Sequence, residues 1–124
     1  MRLLLDTHVL IWLPTGDPRL TKAAREAITD PKSELFASAV TAFEIADLQH
    51  RKRIAMTEDM AAVAAVLGLA VLDFPAEAWK IGANLPDIHR DPVDRMLIAH
   101  AIVGDFTLVT ADKAIRSYSV KSLW

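Results

Sequence analysis

Short apolar runs alternate along this chain with stretches of helical periodicity, and that alternation constrains the fold more than any other feature. The runs are Leu3-Leu4-Leu5, Leu35 to Val40, Ala70-Val71-Leu72 and Phe106 to Val109. Each is too short for a helix and suits a buried strand. Between the first two, Arg19 to Ile28 sets Leu20, Ala24 and Ile28 four apart with charges between them, which predicts a helix ended by Asp30-Pro31. Thr41 with Glu44 three residues on has the spacing of a capping box, opening a helix to about Arg51. Thr57 is the expected cap of an alanine-rich helix closed by Gly68. Pro75 opens a helix near Ala76 to Gly82, and Asp91-Pro92 joins a capping side chain to a proline that loses nothing at the first helical position. Asp112 starts a short helix, and Ser119 to Leu123 is the expected last strand. Strands and helices in this alternation imply an α/β domain spanning 1–124, with a mainly parallel sheet of about five strands covered by helices on both faces.

Composition narrows the chemistry. With 124 residues, 52% hydrophobic and 24% charged, the chain is long enough for a core and too apolar for a disordered tail. Cysteine is absent, which excludes disulfides, thiolate metal sites and cysteine nucleophiles together. A net charge of -2 and a pI near 6.0 exclude a global basic field for coating nucleic acid. The longest uncharged stretch, Met60 to Leu72, holds Gly68 and falls short of the ~20 apolar residues that cross a bilayer. Asp6 and His8 cut the opening apolar run below signal-peptide length, so a cytoplasmic protein with no membrane contact is expected.

In parallel α/β sheets the ligand site lies beyond the carboxyl ends of the strands. Asp6 directly follows the first run, Asp112 follows the fourth behind Thr110, and Glu44 is expected in the first turn of the helix after the second. Asp94 falls in the first turn of the helix opened by Asp91-Pro92; no strand precedes it, so spacing alone does not bring it to the others. Each acid alone reads as an ordinary cap or dipole partner. Their convergence reads differently, because ionised carboxylates ~5 Å apart at an effective dielectric near 20 repel by about 3 kcal/mol per pair. Such a cluster stays ionised around a hard divalent cation, and Mg²⁺ or Mn²⁺ suits oxygen ligands of this type.

The segments Leu4-Leu5-Asp6-Thr7-His8, Ser38 to Ala46, His89 to Ala99 and Leu108-Val109-Thr110-Ala111-Asp112 resemble, in order, the four acidic motifs of PIN-domain ribonucleases. More narrowly, the chain resembles the VapC toxins of bacterial toxin–antitoxin pairs, over essentially its whole length. The resemblance implies a PIN-like fold, a metal-binding cluster of Asp6, Glu44, Asp94 and Asp112, and supporting hydroxyls at Thr110 and Thr7. It also implies an endoribonuclease, a homodimer, and a small cognate antitoxin that blocks the site. Three departures bear on substrate and antitoxin contacts. Lys52 stands where relatives often have a glycine, Asp47 offers a fifth acid one turn past Glu44, and Pro14 stiffens the loop after the first motif.

The chemistry then rests on metal, since no serine-hydrolase arrangement is recognisable and His8, His50, His89 and His100 form no ligand spacing. Asp6 and Asp94 are the expected direct ligands. Asp112 and Glu44 bind directly or through water, one of them a candidate to assist water deprotonation. His100, on an otherwise apolar helix, reads as a core or interface histidine. In a globally acidic protein the RNA backbone needs local cations; Arg51, Lys52, Arg53, Arg90, Arg95, Lys113 and Arg116 are the candidates. Trp12, Phe43 and Trp79 read as core or partner contacts before base-stacking platforms. Two rival readings are a receiver-like Mg²⁺-binding signalling domain and a PIN-like binding module without turnover. The first lacks an acidic pair after the first strand, where Thr7 follows Asp6, and the second leaves four acids without a task.

Overall fold

The computed structural model describes residues 1–124. Five strands, β1 (Arg2–Leu5), β2 (Glu34–Ser38), β3 (Ala70–Leu72), β4 (Thr107–Val109) and β5 (Ser122–Leu123), form one sheet in the order β3-β2-β1-β4-β5. All four pairings are parallel, with Leu4 opposite Phe36 on one side and Leu108 on the other. This order differs from the 2-1-3-4-5 arrangement of receiver domains, which removes that rival.

Strand side chains alternate in direction, so β1 feeds two cores. Leu3 and Leu5 pack with Val9, Leu10, Ala24, Ile28, Ile45 and Val63 on one face. Leu4 packs with Leu97, Ile98, Ala101, Leu108, Ile115 and Tyr118 on the other. The helices are α1 (Thr7–Trp12), α2 (Lys22–Thr29), α3 (Ala39–His50), α4 (Met60–Leu67), α5 (Ala78–Ala83), α6 (Pro92–Gly104) and α7 (Lys113–Arg116). Those supplying the first core are α1 to α4; α6 and α7 supply the second.

Several local expectations are corrected. Helix α1 has no predicted counterpart: its run Thr-His-Val-Leu-Ile-Trp lacks a polar stripe, and Asp6 starts it by accepting from the Thr7 N–H. The cap of α3 is Ser38, not Thr41, so β2 ends two residues early and Glu44 falls in the second turn rather than the first. No capping box forms there; the Thr41 hydroxyl is buried without a partner. Asp59 replaces Thr57 as the cap of α4, Thr21 caps α2 so that it starts three residues after Arg19, and α5 begins at Ala78 without a side-chain cap. The last strand shrinks to two residues. Asp91 and Asp112 cap α6 and α7 as expected, each through two backbone N–H groups. At the end of α3, Lys52 adopts φ +56°, the left-handed conformation that glycine takes at lower cost. Lys52 therefore carries this turn in the conformation that glycine favours.

Candidate active site

Successive crossovers from β1 run outward to β2 and β3, while β4 and β5 add on the opposite side. The order thus reverses between β1 and β4, and the crevice beyond their carboxyl ends is where an open parallel sheet binds its ligand. Asp6 stands at that point, its N–H donating to the Val109 carbonyl at 3.1 Å. Only 6% exposed, it accepts from the Thr7 N–H at 2.7 Å and from the Thr110 hydroxyl at 2.6 Å. Burial pushes its carboxyl above the ordinary range despite those two bonds. The Thr110 oxygen also accepts from the Asp112 N–H at 3.1 Å, so one hydroxyl ties the acids following β1 and β4. Asp112 turns Oδ1 to the N–H groups of Ala114 and Ile115, at 2.8 and 3.1 Å.

Glu44 reaches the same crevice from α3, where the Thr7 hydroxyl donates to its Oε1. Asp94 enters from the first turn of α6. Its Oδ2 lies 2.9 Å from Nε2 of His89, and the same nitrogen is 3.0 Å from Oδ2 of Asp112. Asp6, Glu44, Asp94 and Asp112 line one cavity of about 340 Å³, joined by Asp91; Trp12, His8 and Arg19 complete its wall.

Burial, then the charges of Asp6, Asp91 and Glu44, push the Asp94 carboxyl up to about 7, with His89 opposing. Burial alone would also raise Asp112, but the His89 hydrogen bond and the α7 N–H groups hold it below the ordinary range. For His89 burial acts downward, and the Asp112 bond with the charges of Asp94 and Asp91 outweighs it, leaving a net rise. Metal-free, the pocket therefore resists full ionisation near neutral pH. A divalent cation reverses this, and an all-oxygen carboxylate set fits a hard ion. Side chains that sequence spacing did not assign to the site adjoin these acids: His89, bonded to Asp94 and Asp112, and then Asp91 and Arg19 in the cavity wall. The first two lie inside the third acidic motif. Arg19 had only the local Asp17-Pro18-Arg19 sequence as a signal, and Asp17 holds it by a 2.7 Å ion pair while its guanidinium covers Trp12 at 4.6 Å.

None of the seven basic candidates lines the cavity. Arg95 is engaged within the protein: its guanidinium donates to the carbonyls of Gly82, Leu85, Pro86 and His89. Arg116 is half-buried against the Ala111 carbonyl, whereas Arg90 and Lys113 are exposed. Arg51 pairs with Asp47 at 3.2 Å, and Asp47 does not line the cavity. The exposed run Arg51-Lys52-Arg53 starts about 10 Å of helical rise beyond Glu44. His100 is a core histidine bonded to Ser38 at 3.0 Å and edge-on to Phe74 and Phe106. Phe43 and Trp79 are not core; they are 70% and 63% exposed.

The PIN domain family profile matches residues 3–121. Ribonuclease VapC22 of Mycobacterium tuberculosis is 32% identical over 122 residues, covering 93% of this chain and 90% of the relative. Among solved structures, VapBC2 from Rickettsia felis bound to a promoter DNA fragment aligns over 99% of this chain and 98% of that one, with a TM-score of 0.70 at 16% identity. VapBC-1 from nontypeable Haemophilus influenzae aligns over 99% and 97%, with a TM-score of 0.65 at 16% identity. At these identities the two structures speak to the fold.

Proposed function

The chain belongs to the PIN-domain family, on its VapC branch, and from that premise we propose that it is a metal-dependent endoribonuclease, the toxin of a toxin–antitoxin pair. The observation that carries this reading is the convergence of Asp6, Glu44, Asp94 and Asp112, from four separate chain segments, on one open acidic cavity. Carboxylates alone repel a phosphodiester, so the site acts on RNA only with a cation between them. When bound, Mg²⁺ or Mn²⁺ lowers the pKa of a water and offsets charge that builds on the phosphate.

The chain's own residues hold that arrangement. Asp6 is fixed by Thr7 and Thr110 and, with Asp94, supplies direct ligands. Glu44, oriented by the Thr7 hydroxyl, and Asp112, fixed by α7, bind directly or through water. Arg19 is the lysine-or-arginine cation of the cavity wall and offers the nearest charge to an RNA phosphate. Arg90 and Lys113, exposed on segments flanking Asp94 and Asp112, extend that contact. The same carboxylates favour a guanidinium from a small antitoxin, which blocks the site by a charge-assisted bond. A homodimer working in the cytoplasm completes the reading; no helix is long and apolar enough to cross a membrane.

Cleavage of a structured RNA with single-stranded loops tests it. Activity is expected with Mg²⁺ or Mn²⁺, lost in EDTA and restored by excess metal. Undiminished cutting in chelator overturns the metal reading.

A further inference from the structure

The segment from Pro86 to His89, which leads into α6, is held as a strap, and His89 is anchored on it at every polar atom. Its N–H donates to the Tyr118 hydroxyl at 2.7 Å, and its carbonyl accepts from Arg95 at 3.2 Å. Tyr118 also accepts from the Ile88 N–H and donates to the Pro86 carbonyl, so a buried phenol and a half-buried guanidinium clamp the strap from two sides. The ring is fixed as well. Nδ1 accepts from the Asp91 N–H at 3.1 Å.

That last bond decides the chemistry of the other nitrogen. A backbone N–H only donates, so Nδ1 carries no hydrogen and the neutral imidazole holds it on Nε2. Nε2–H donates to Asp112 and lies beside the Asp94 oxygen. A nitrogen whose hydrogen points at a carboxylate has no lone pair for an ion. One atom each from His89, Asp94 and Asp112 lies within 4.8 Å of the others, the spacing of a three-ligand site, yet only the two acids are free to ligate.

We propose that His89 is a positioning residue, an Nε2–H donor rather than a metal ligand, that holds Asp94 and Asp112 side by side in the site. The proposal rests on the metal reading above and adds the group that shapes its site. Without the donor the two carboxylates repel and separate, and the ion pays for drawing them back.

Mn²⁺ binding to the metal-free full-length chain, followed by electron paramagnetic resonance, tests this alongside ¹⁵N spectra of the imidazoles. In the unsubstituted protein the His89 signals should be those of the Nε2–H tautomer. His89→Ala should weaken Mn²⁺ binding by about 10- to 100-fold. His89→Gln, whose amide N–H reaches the place of Nε2–H, should recover most of that loss. A ligating imidazole would instead give the Nδ1–H tautomer and no rescue by Gln, and an alanine variant that binds Mn²⁺ as tightly as the parent would leave His89 without a positioning role. Either result overturns the proposal. Should His89→Ala fail to fold, the Gln variant and the parent spectrum still decide. No Mn²⁺ binding by the parent protein would sink the metal reading itself, whereas the tautomer is read separately in the metal-free spectrum.

Discussion

The two walls of the acidic cavity are built by different means. On the strand side, Asp6 and Thr110 follow adjacent parallel strands and are buried, and a single hydroxyl links the Asp6 carboxylate to the Asp112 N–H. Sheet pairing puts them together, and hydrogen bonds finish the job. On the strap side, Asp94 and His89 owe their place to no strand. They depend on Asp91 capping α6 and on Arg95 and Tyr118 holding a loop that has no regular hydrogen-bond ladder. One wall is rigid because the fold cannot form without it. The other is rigid only while a few side chains clamp it, so the position of Asp94 is the part of the site most open to perturbation.

Asp94→Asn, which keeps shape and removes charge, should have the largest effect. RNA cleavage at saturating Mg²⁺ should fall by about 10²- to 10³-fold. Asp94 titrates near 7 in the native chain against 3.8 as the ordinary value, so the native state binds more protons between these pH values and loses stability as pH rises across them. The metal-free variant should therefore be more stable than the parent at pH 8, by about 1–2 kcal/mol after solvent screening, and level with it near pH 4. A variant that melts lower at pH 8 and cuts at the parent rate would make Asp94 a helix-terminal acid and nothing more.

Next in size is Arg95→Met, which strips four carbonyl contacts from the 82–89 segment, two of them on the strap, without altering the strand wall. Part of that loss is taken up by water, leaving about 2–4 kcal/mol on the urea midpoint. Amide exchange should accelerate at Ile88 and His89 while Leu3 to Leu5 stay protected. Equal acceleration in β1 would mean that the two walls are one cooperative unit.

Thr110→Val is the smallest effect, about 1–2 kcal/mol, because the isosteric change removes one hydroxyl and leaves the sheet intact. The Thr110 bond holds the Asp6 carboxyl down against burial. Its loss should raise the Asp6 titration followed by carbon NMR, with Asp94 exchange unchanged. An Asp6 carboxyl that titrates as in the parent would separate Thr110 from the acid it touches.

Local rules account for what was legible in the sequence. Apolar runs of strand length alternating with helical spacing marked the parallel α/β sheet, and the same runs put Asp6 and Asp112 at strand ends, where strand direction alone decides their side of the sheet. Asp91-Pro92 announced α6 because capping needs only neighbours. Resemblance to PIN-domain motifs, not spacing, named Asp94. The structure decided the rest through pairs distant in sequence: Thr7 with Glu44, His89 with Asp112, Arg95 with the 82–89 segment. Thr41-x-x-Glu44 misled because a cap pattern records only what a glutamate can do within its own helix. Ser38 took the cap, and Thr7, far off along the chain, took the glutamate. A local motif carries the energies of adjacent residues, whereas the choice among partners for a long polar side chain is made by whichever element the sheet order brings alongside, and that is known only once the chain has folded.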